Sequence, residues 1–498
     1  MSFKQFGRRR FLSSATTAAT AFSSWPAGAV EPMDAGRKGL RAGAATVNIT
    51  PALGTLMDGS ISKVGVATHV HDELHARALV LDDGVTRLAI IVCDATMIGR
   101  RIHDAAKALI ARHTKIPASH VLTAATHTHT SPRPADLWKQ PMYLAYQERL
   151  AVAIADAVRG AVNRLAPAEL AAGVGREPNF VRTRRFICKA GSVGPNPFGD
   201  STERCKSVAG RSSAVIGPAG PVDPMVAVLS VRHADGTPLA LLGNYNIHYA
   251  TGGRRGHVSA DYFGYFARYV EKILFGDQSR EEGRPPFVGL MSNGNSASTG
   301  GGSMIPLKDP YHRMRVVGHA IAEEATRIYR GLQHRRDVTL DAVLAEVELG
   351  VRKPDEARIT WAKQFWGPDG PVGKQERPHQ WTNIFAREAL YLADFPEIVS
   401  VPVQALRIGN LGITALPCEV FPETGLAIKA KSPLKPTFNI QLANGYNGYL
   451  PTPEQHAIGG YETWPARSKY LEVGAEPKLR AKALALLDRV AASGQQGP

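Results

Sequence analysis

Residues 86–125 read as strand, helix and strand in turn, and few folds accept that series. An apolar, β-branched run at 86–93 is followed by apolar residues at helical spacing over 98–113, then by a second buried run, Val121-Leu122-Thr123-Ala124-Ala125. The first of these strands is joined to another at 75–81 through Asp82-Asp83-Gly84, a turn signal for a hairpin. A hairpin that feeds strand–helix alternation predicts an α/β fold with a mixed β-sheet core flanked by helices, rather than a purely parallel sheet. Further strands are expected from Arg41 to Pro51 and at 225–231, 239–245, 286–291, 339–351, 401–408, 413–416 and 437–442. Helices are expected at 143–165, 261–274, 309–332 and 478–491. Residues 177–222, rich in Gly, Pro, Ser and Arg and without periodicity, predict a long excursion over the surface. No repeat or linker divides the chain, so residues 40–493 are expected to form a single large domain.

With 44% apolar and 21% charged residues among 498, the composition is that of a globular protein able to bury a core. Residues 1–29 are different. They carry Arg8-Arg9-Arg10-Phe11-Leu12, then a mildly apolar stretch and the small-residue site Ala27-Gly28-Ala29, the pattern of a removable twin-arginine export signal. A periplasmic or secreted destination follows as an expectation. Setting those residues aside removes four basic groups and no acid, leaving 55 basic and 44 acidic side chains, a balance of +11. That balance favours an anionic surface such as a membrane leaflet. Nucleic acid is disfavoured, because no Lys/Arg run is interleaved with aromatics. The four cysteines, Cys93, Cys188, Cys205 and Cys418, lack the paired spacing of a structural zinc site, although Cys188 and Cys205 could pair in an oxidising compartment.

Chemistry gathers where strands end. Thr126-His127-Thr128-His129 follows the buried run at 121–125, and residues two apart in an extended chain face one side, so both imidazoles should look into one space. The run from Leu239 ends in Asn244-Tyr245-Asn246-Ile247-His248, and the run from Leu411 ends in Leu416-Pro417-Cys418-Glu419 at the approach to a helix. A third, from Phe438, ends in Asn444-Gly445-Tyr446-Asn447-Gly448-Tyr449. Taken singly, His248 reads as a core histidine and Glu419 as a helix-start carboxylate. Taken together, His127, His248 and Glu419 make the two-histidine, one-carboxylate set of a catalytic zinc that keeps an open position.

These segments, in this order, resemble the metal-site segments of the neutral/alkaline ceramidase family. The resemblance extends to Gly43-Ala44-Ala45-Thr46-Val47-Asn48-Ile49-Thr50-Pro51, to residues 75–84, to Ser259-Ala260-Asp261-Tyr262 and to Tyr461-Glu462, and so covers roughly residues 40–470. It implies zinc ligands at His127, His248, Glu419 and Tyr449, with His129 lining the same site. It also implies a substrate-oxyanion tyrosine at Tyr461 and a site arginine at Arg184, with Arg182 and Arg185 as competitors and Thr183 where the family has asparagine. Two departures stand out. Only 37 residues follow Tyr461, which leaves no room for the immunoglobulin-like domain of the family's ceramidases. In Asn293-Gly294-Asn295-Ser296-Ala297-Ser298-Thr299-Gly300, the family's nucleophilic serine falls on Gly300 and its acidic residue on Ser298, and a shift of register offers Ser296 or Ser298 as the nucleophile.

The reading that follows is an exported, zinc-dependent hydrolase cleaving the N-acyl bond of a lipid or small-molecule amide. An esterase or other amidohydrolase on the same scaffold, or an inactive metal-binding surface protein, stands as the alternative. With glycine at the serine position, direct attack by water is favoured over an acyl-enzyme on Ser296 or Ser298.

Overall fold

Hairpin and helix are both found where the apolar pattern places them. A computed structural model describes residues 39–57, 65–135, 140–207, 213–276, 286–301, 305–372 and 377–493, and the export signal expected at 1–29 lies outside them. Strand β1 (Arg41–Asn48) pairs antiparallel with β2 (His75–Asp82), which turns back into β3 (Arg87–Cys93). The turn is closed by its own side chains: Gly84 N–H donates to Asp82 Oδ1 (2.9 Å) and Thr86 N–H to Asp83 Oδ1 (2.7 Å). Helix α1 (Arg100–Thr114) then returns the chain to β4 (Val121–Ala125), parallel to β3. After helix α2 (Pro141–Asn163) come β5 (Ala166–Arg176), β6 (Met225–His233) and β7 (Pro238–Tyr245). Helix α3 (Asp261–Phe275), β8 (Val288–Asn293) and helix α4 (His312–Arg330) complete the first half.

These eight strands form one mixed sheet in the order β8-β7-β6-β5-β1-β2-β3-β4, with a parallel pair at each end and antiparallel pairing between. A second sheet, β9 (Leu340–Gly350), β10 (Ile398–Ile408), β11 (Leu411–Leu416) and β12 (Thr437–Gln441), is antiparallel except for the parallel pair β11–β12. Strand alternation decides what each face meets. Leu79, Leu81 and Ile90 point toward Leu406, Ile413 and Phe438 of the second sheet, whereas Ala78, Val80 and Ile91 pack under Ile102 and Ile110 of α1 and Ile154 and Val158 of α2. Helices α3 and α4 cover the other half of the large sheet through Phe266, Val317 and Ile321, and the helix Ala475–Ala492 covers the small one through Leu479 and Leu487. Each sheet thus has the other sheet on one face and helices on the opposite one, which is why their strands read as continuous apolar runs.

Two stretches differ from expectation. Strand β5 was not expected, because Ala-Pro-Ala-Glu-Leu-Ala-Ala-Gly-Val-Gly carries little strand propensity. Its glycines are imposed by α4: a Cβ on Gly175 would lie 2.0 Å from Glu324 Oε1. Residues 177–222 are not a simple surface excursion. Arg182–Thr183 pairs with Thr299–Gly300, and Arg185–Cys188 lies between Cys205–Ser207 and Val215–Pro218 in a small sheet that turns arginines inward. Cys188 and Cys205 are buried free thiols on its adjacent strands.

Candidate metal centre

Strand ends from both sheets are tied together here by buried amides. Asn293, at the end of β8, donates from Nδ2 to the carbonyls of Thr126 (3.0 Å) and His248 (3.2 Å). Beyond β12, Asn444 N–H bonds Thr123 O (2.8 Å) and Leu442 O receives Ala125 N–H (3.1 Å). Gln441 donates from Nε2 to Ser296 Oγ (2.8 Å) and accepts Val420 N–H at Oε1 (2.9 Å), holding the residue next to Glu419. Each bond lies in the interior, where leaving it unmade would cost about 1–3 kcal/mol.

Within that frame His127, His129, His248 and Glu419 converge. His127 and His129 do share one space, but not by strand pleating. His127 has left the strand and holds a left-handed backbone (φ 75°), pinned by its N–H to Ala95 O at 2.9 Å. Its Nδ1 meets Thr96 O at 2.7 Å, which makes Nδ1 the donor and leaves Nε2 with a free lone pair. His248 is fixed in the same manner, Nδ1 to Ser296 O at 3.1 Å. The two Nε2 atoms face each other at 2.9 Å, and His129 Nε2 stands 3.1 Å from that of His127 with its ring stacked on Tyr249. Glu419 Oε1 accepts from Tyr446 Oη (2.9 Å). Its Oε2 has no hydrogen-bond partner among the described residues, and lies 3.5 Å from His127 Nε2 and 3.7 Å from His248 Nε2.

Electrostatics completes the test for a metal. Burial, reinforced by neighbouring charge, holds His129 and His248 well below the ordinary imidazole range, so both are neutral at neutral pH and offer lone pairs. Burial alone would raise the Glu419 carboxyl, yet positive charge at the His127 ring, with Tyr449 and Arg184 beside it, keeps it below its ordinary value. Facing imidazole lone pairs and an orphaned, buried carboxylate oxygen repel one another unless a cation joins them. The three imidazole nitrogens lie within 4.8 Å of one another, and nitrogen with carboxylate oxygen is a donor set suited to a divalent metal such as zinc.

The remaining expected residues surround this cluster. Tyr449 lies beside Glu419, on a two-residue strand parallel to Glu419–Val420, and its hydroxyl accepts from Arg184 Nη2 (2.9 Å). Of the three competing arginines, Arg184 is the one at Tyr449; Arg182 is exposed and bonds local carbonyls, and Arg185 is buried against Gln455, Gly459 and Glu462. The Tyr461 ring stands 6.0 Å from that of Tyr449. Ser296 sits behind His248, its carbonyl on Nδ1 and its hydroxyl engaged by Gln441, while the buried Ser298 hydroxyl has no partner among the described residues. Gly300 borders Arg184, and among the described residues a Cβ there would meet only Arg184 Cβ, at 4.0 Å. Sequence reasoning passed over Thr96, Tyr446 and Glu462 as functional residues. Thr96 acts through a backbone carbonyl, which no side-chain pattern signals, whereas Glu462 stood within the Tyr461-Glu462 motif and could have been found as the counter-ion of two arginines.

By sequence, the chain matches no family profile and no characterised protein. By structure it is similar to neutral ceramidase from Pseudomonas aeruginosa, with a TM-score of 0.64 and 20% identity over 92% of this chain and 75% of that one. A ceramidase complexed with C2 matches with the same TM-score and identity, over 92% of this chain and 76% of its own. The protein therefore has a neutral ceramidase-like fold.

Proposed function

We propose that the chain is a metal-dependent hydrolase of N-acyl amides, most simply with zinc and with a lipid or other amphiphilic substrate. The observation that carries this reading is the orphaned Glu419 oxygen facing three convergent imidazoles, within the fold of proteins described as ceramidases. His127, His248 and Glu419 would hold the metal, with Tyr449 and His129 flanking it. A divalent ion held there supplies a Lewis acid for the carbonyl and lowers the pKa of water from about 15.7 toward ~7.

The protein's own groups supply the rest. Arg184 is anchored through Nε to Glu462 and has Nη2 on the Tyr449 hydroxyl, so its charge lies where negative charge would develop on a carbonyl oxygen; Tyr461 offers a phenolic donor from the same side. His129, backed by Tyr249 and with Nε2 3.1 Å from that of His127, stands where a proton would pass between an attacking water and a leaving amine. Ser296, on the Nδ1 side of His248, is screened from the converging Nε2 atoms, which favours attack by water over a serine acyl-enzyme. Export through Arg8-Arg9-Arg10 and attraction of the basic chain to an anionic surface belong to the same proposal. A panel of N-acyl amides, N-acyl amino acids and acyl esters, offered to metal-loaded protein, tests it. Turnover of amides is expected; turnover of esters alone would move the assignment to an esterase, and none at all would leave a metal-binding protein.

A further inference from the structure

A side chain beside the proposed site has no place in that scheme. Lys469 is 1% exposed, and its Nζ has no hydrogen-bond partner among the described residues. It stands 3.3 Å from the centroid of the Tyr461 ring, with Phe385 at 4.9 Å and Tyr449 at 5.8 Å. The backbone that carries it is held in place. Lys469 N–H closes a turn on Ala466 O (2.8 Å), and Arg352 grips the loop by donating to the carbonyls of Thr463 (3.0 Å), Lys469 (2.7 Å) and Leu471 (2.9 Å). Burying an amine that has no hydrogen-bond acceptor among the described residues, with Glu462, Glu419 and Glu388 acting on it only through space, is unfavourable compared with an apolar residue of the same length. A position that costs stability and touches the face of a site tyrosine points to a role in the site rather than in the core.

We propose that Lys469 is a positioning residue for Tyr461: its Nζ, 3.3 Å from the ring centroid, fixes the ring plane so that the phenol is presented beside Arg184 and Tyr449. The attraction is that of an amine N–H for an aromatic face. Through it the ring resists rotation as charge develops at its hydroxyl. The role rests on the amide-hydrolase reading only for its catalytic readout.

The test is Lys469→Met, which keeps the length of the side chain and removes the nitrogen, made alone and in a Tyr461→Phe background. On an amide that the wild type turns over, kcat should fall about ten-fold with KM little changed, and the loss should vanish when Tyr461 is already phenylalanine. The thermal midpoint should hold or rise. A crystal structure of Lys469→Met should show the Tyr461 ring displaced. Equal losses in both backgrounds, a lowered midpoint, or an unmoved ring would each overturn the role. Should the wild type hydrolyse nothing in the substrate panel, the hydrolase reading fails on its own, and the ring position and midpoint still decide for or against Lys469.

Discussion

Replacing Glu462 by glutamine should be among the most damaging isosteric changes in the molecule. The carboxylate is fully buried, accepts from Arg184 Nε at 2.9 Å and from Arg185 Nη1, and receives the Ser207 hydroxyl at 3.3 Å. Burial would raise its pKa, but the Arg185 and Arg184 guanidiniums override that effect and hold it at about 2 against an ordinary 4.5. Such a depression corresponds to roughly 3 kcal/mol of stability at neutral pH, at about 1.4 kcal/mol for each unit. Glutamine matches the shape but leaves Arg185, buried, and Arg184 facing a neutral group, and breaking a buried ion pair from one side costs about 3–5 kcal/mol. The sign with pH follows from a lowered acid: the contribution is complete well above 4.5 and is lost as pH falls from there toward about 2. Equilibrium urea unfolding at pH 7 should therefore separate wild type and Glu462→Gln by about 3 kcal/mol, with the gap narrowing by roughly 1 kcal/mol at pH 4 and 2 kcal/mol at pH 3. A gap below about 1 kcal/mol at pH 7, or one that widens in acid, would refute the reasoning.

The other expectations concern metal, nucleophile and export. Elemental analysis of protein purified from its native host should find about one divalent metal per chain, lost in His127→Ala and His248→Ala, and chelation should lower the thermal midpoint of the wild type alone. Ser296→Ala and Ser298→Ala should each keep measurable amide hydrolysis, with losses within about 10- to 100-fold, and a slow substrate should leave no acyl adduct on either serine by mass spectrometry. Replacing both Arg8 and Arg9 by lysine should trap uncleaved precursor in the cytoplasm; a mature amino terminus at Met1 in wild-type protein would rule the signal out.

What could be read in advance depended on how far away each residue's partner lies. Strands β2, β3 and β4 are legible because both faces are covered, so neighbouring residues alone announce burial. Their turn is legible because Asp82 and Asp83 bond backbone groups two or three residues on. Strand β5 fails that local test, since what shapes it is α4, more than a hundred residues later, pressing against Gly173 and Gly175. The site divides in the same way. His127, His248 and Glu419 stand out as polar groups closing apolar runs, and the structure brings them together. The shared space of His127 and His129 was anticipated through strand geometry, whereas a left-handed backbone produces it.

Arg184 and Arg185 show the limit most plainly. Among glycines, prolines and other arginines nothing within reach along the chain could neutralise them, and Arg184 came forward as a site arginine only through the family resemblance. Glu462, 278 positions beyond Arg184, does so. A buried charge is intelligible only with its counter-ion, and contacts at that separation leave no periodic trace in sequence. Lys469 extends the point, since the described residues supply its Nζ no hydrogen-bond acceptor, and the groups closest to it are aromatic faces. Such a residue cannot be explained by the stability of the fold. Its presence beside Tyr461 has to be accounted for by what that tyrosine does.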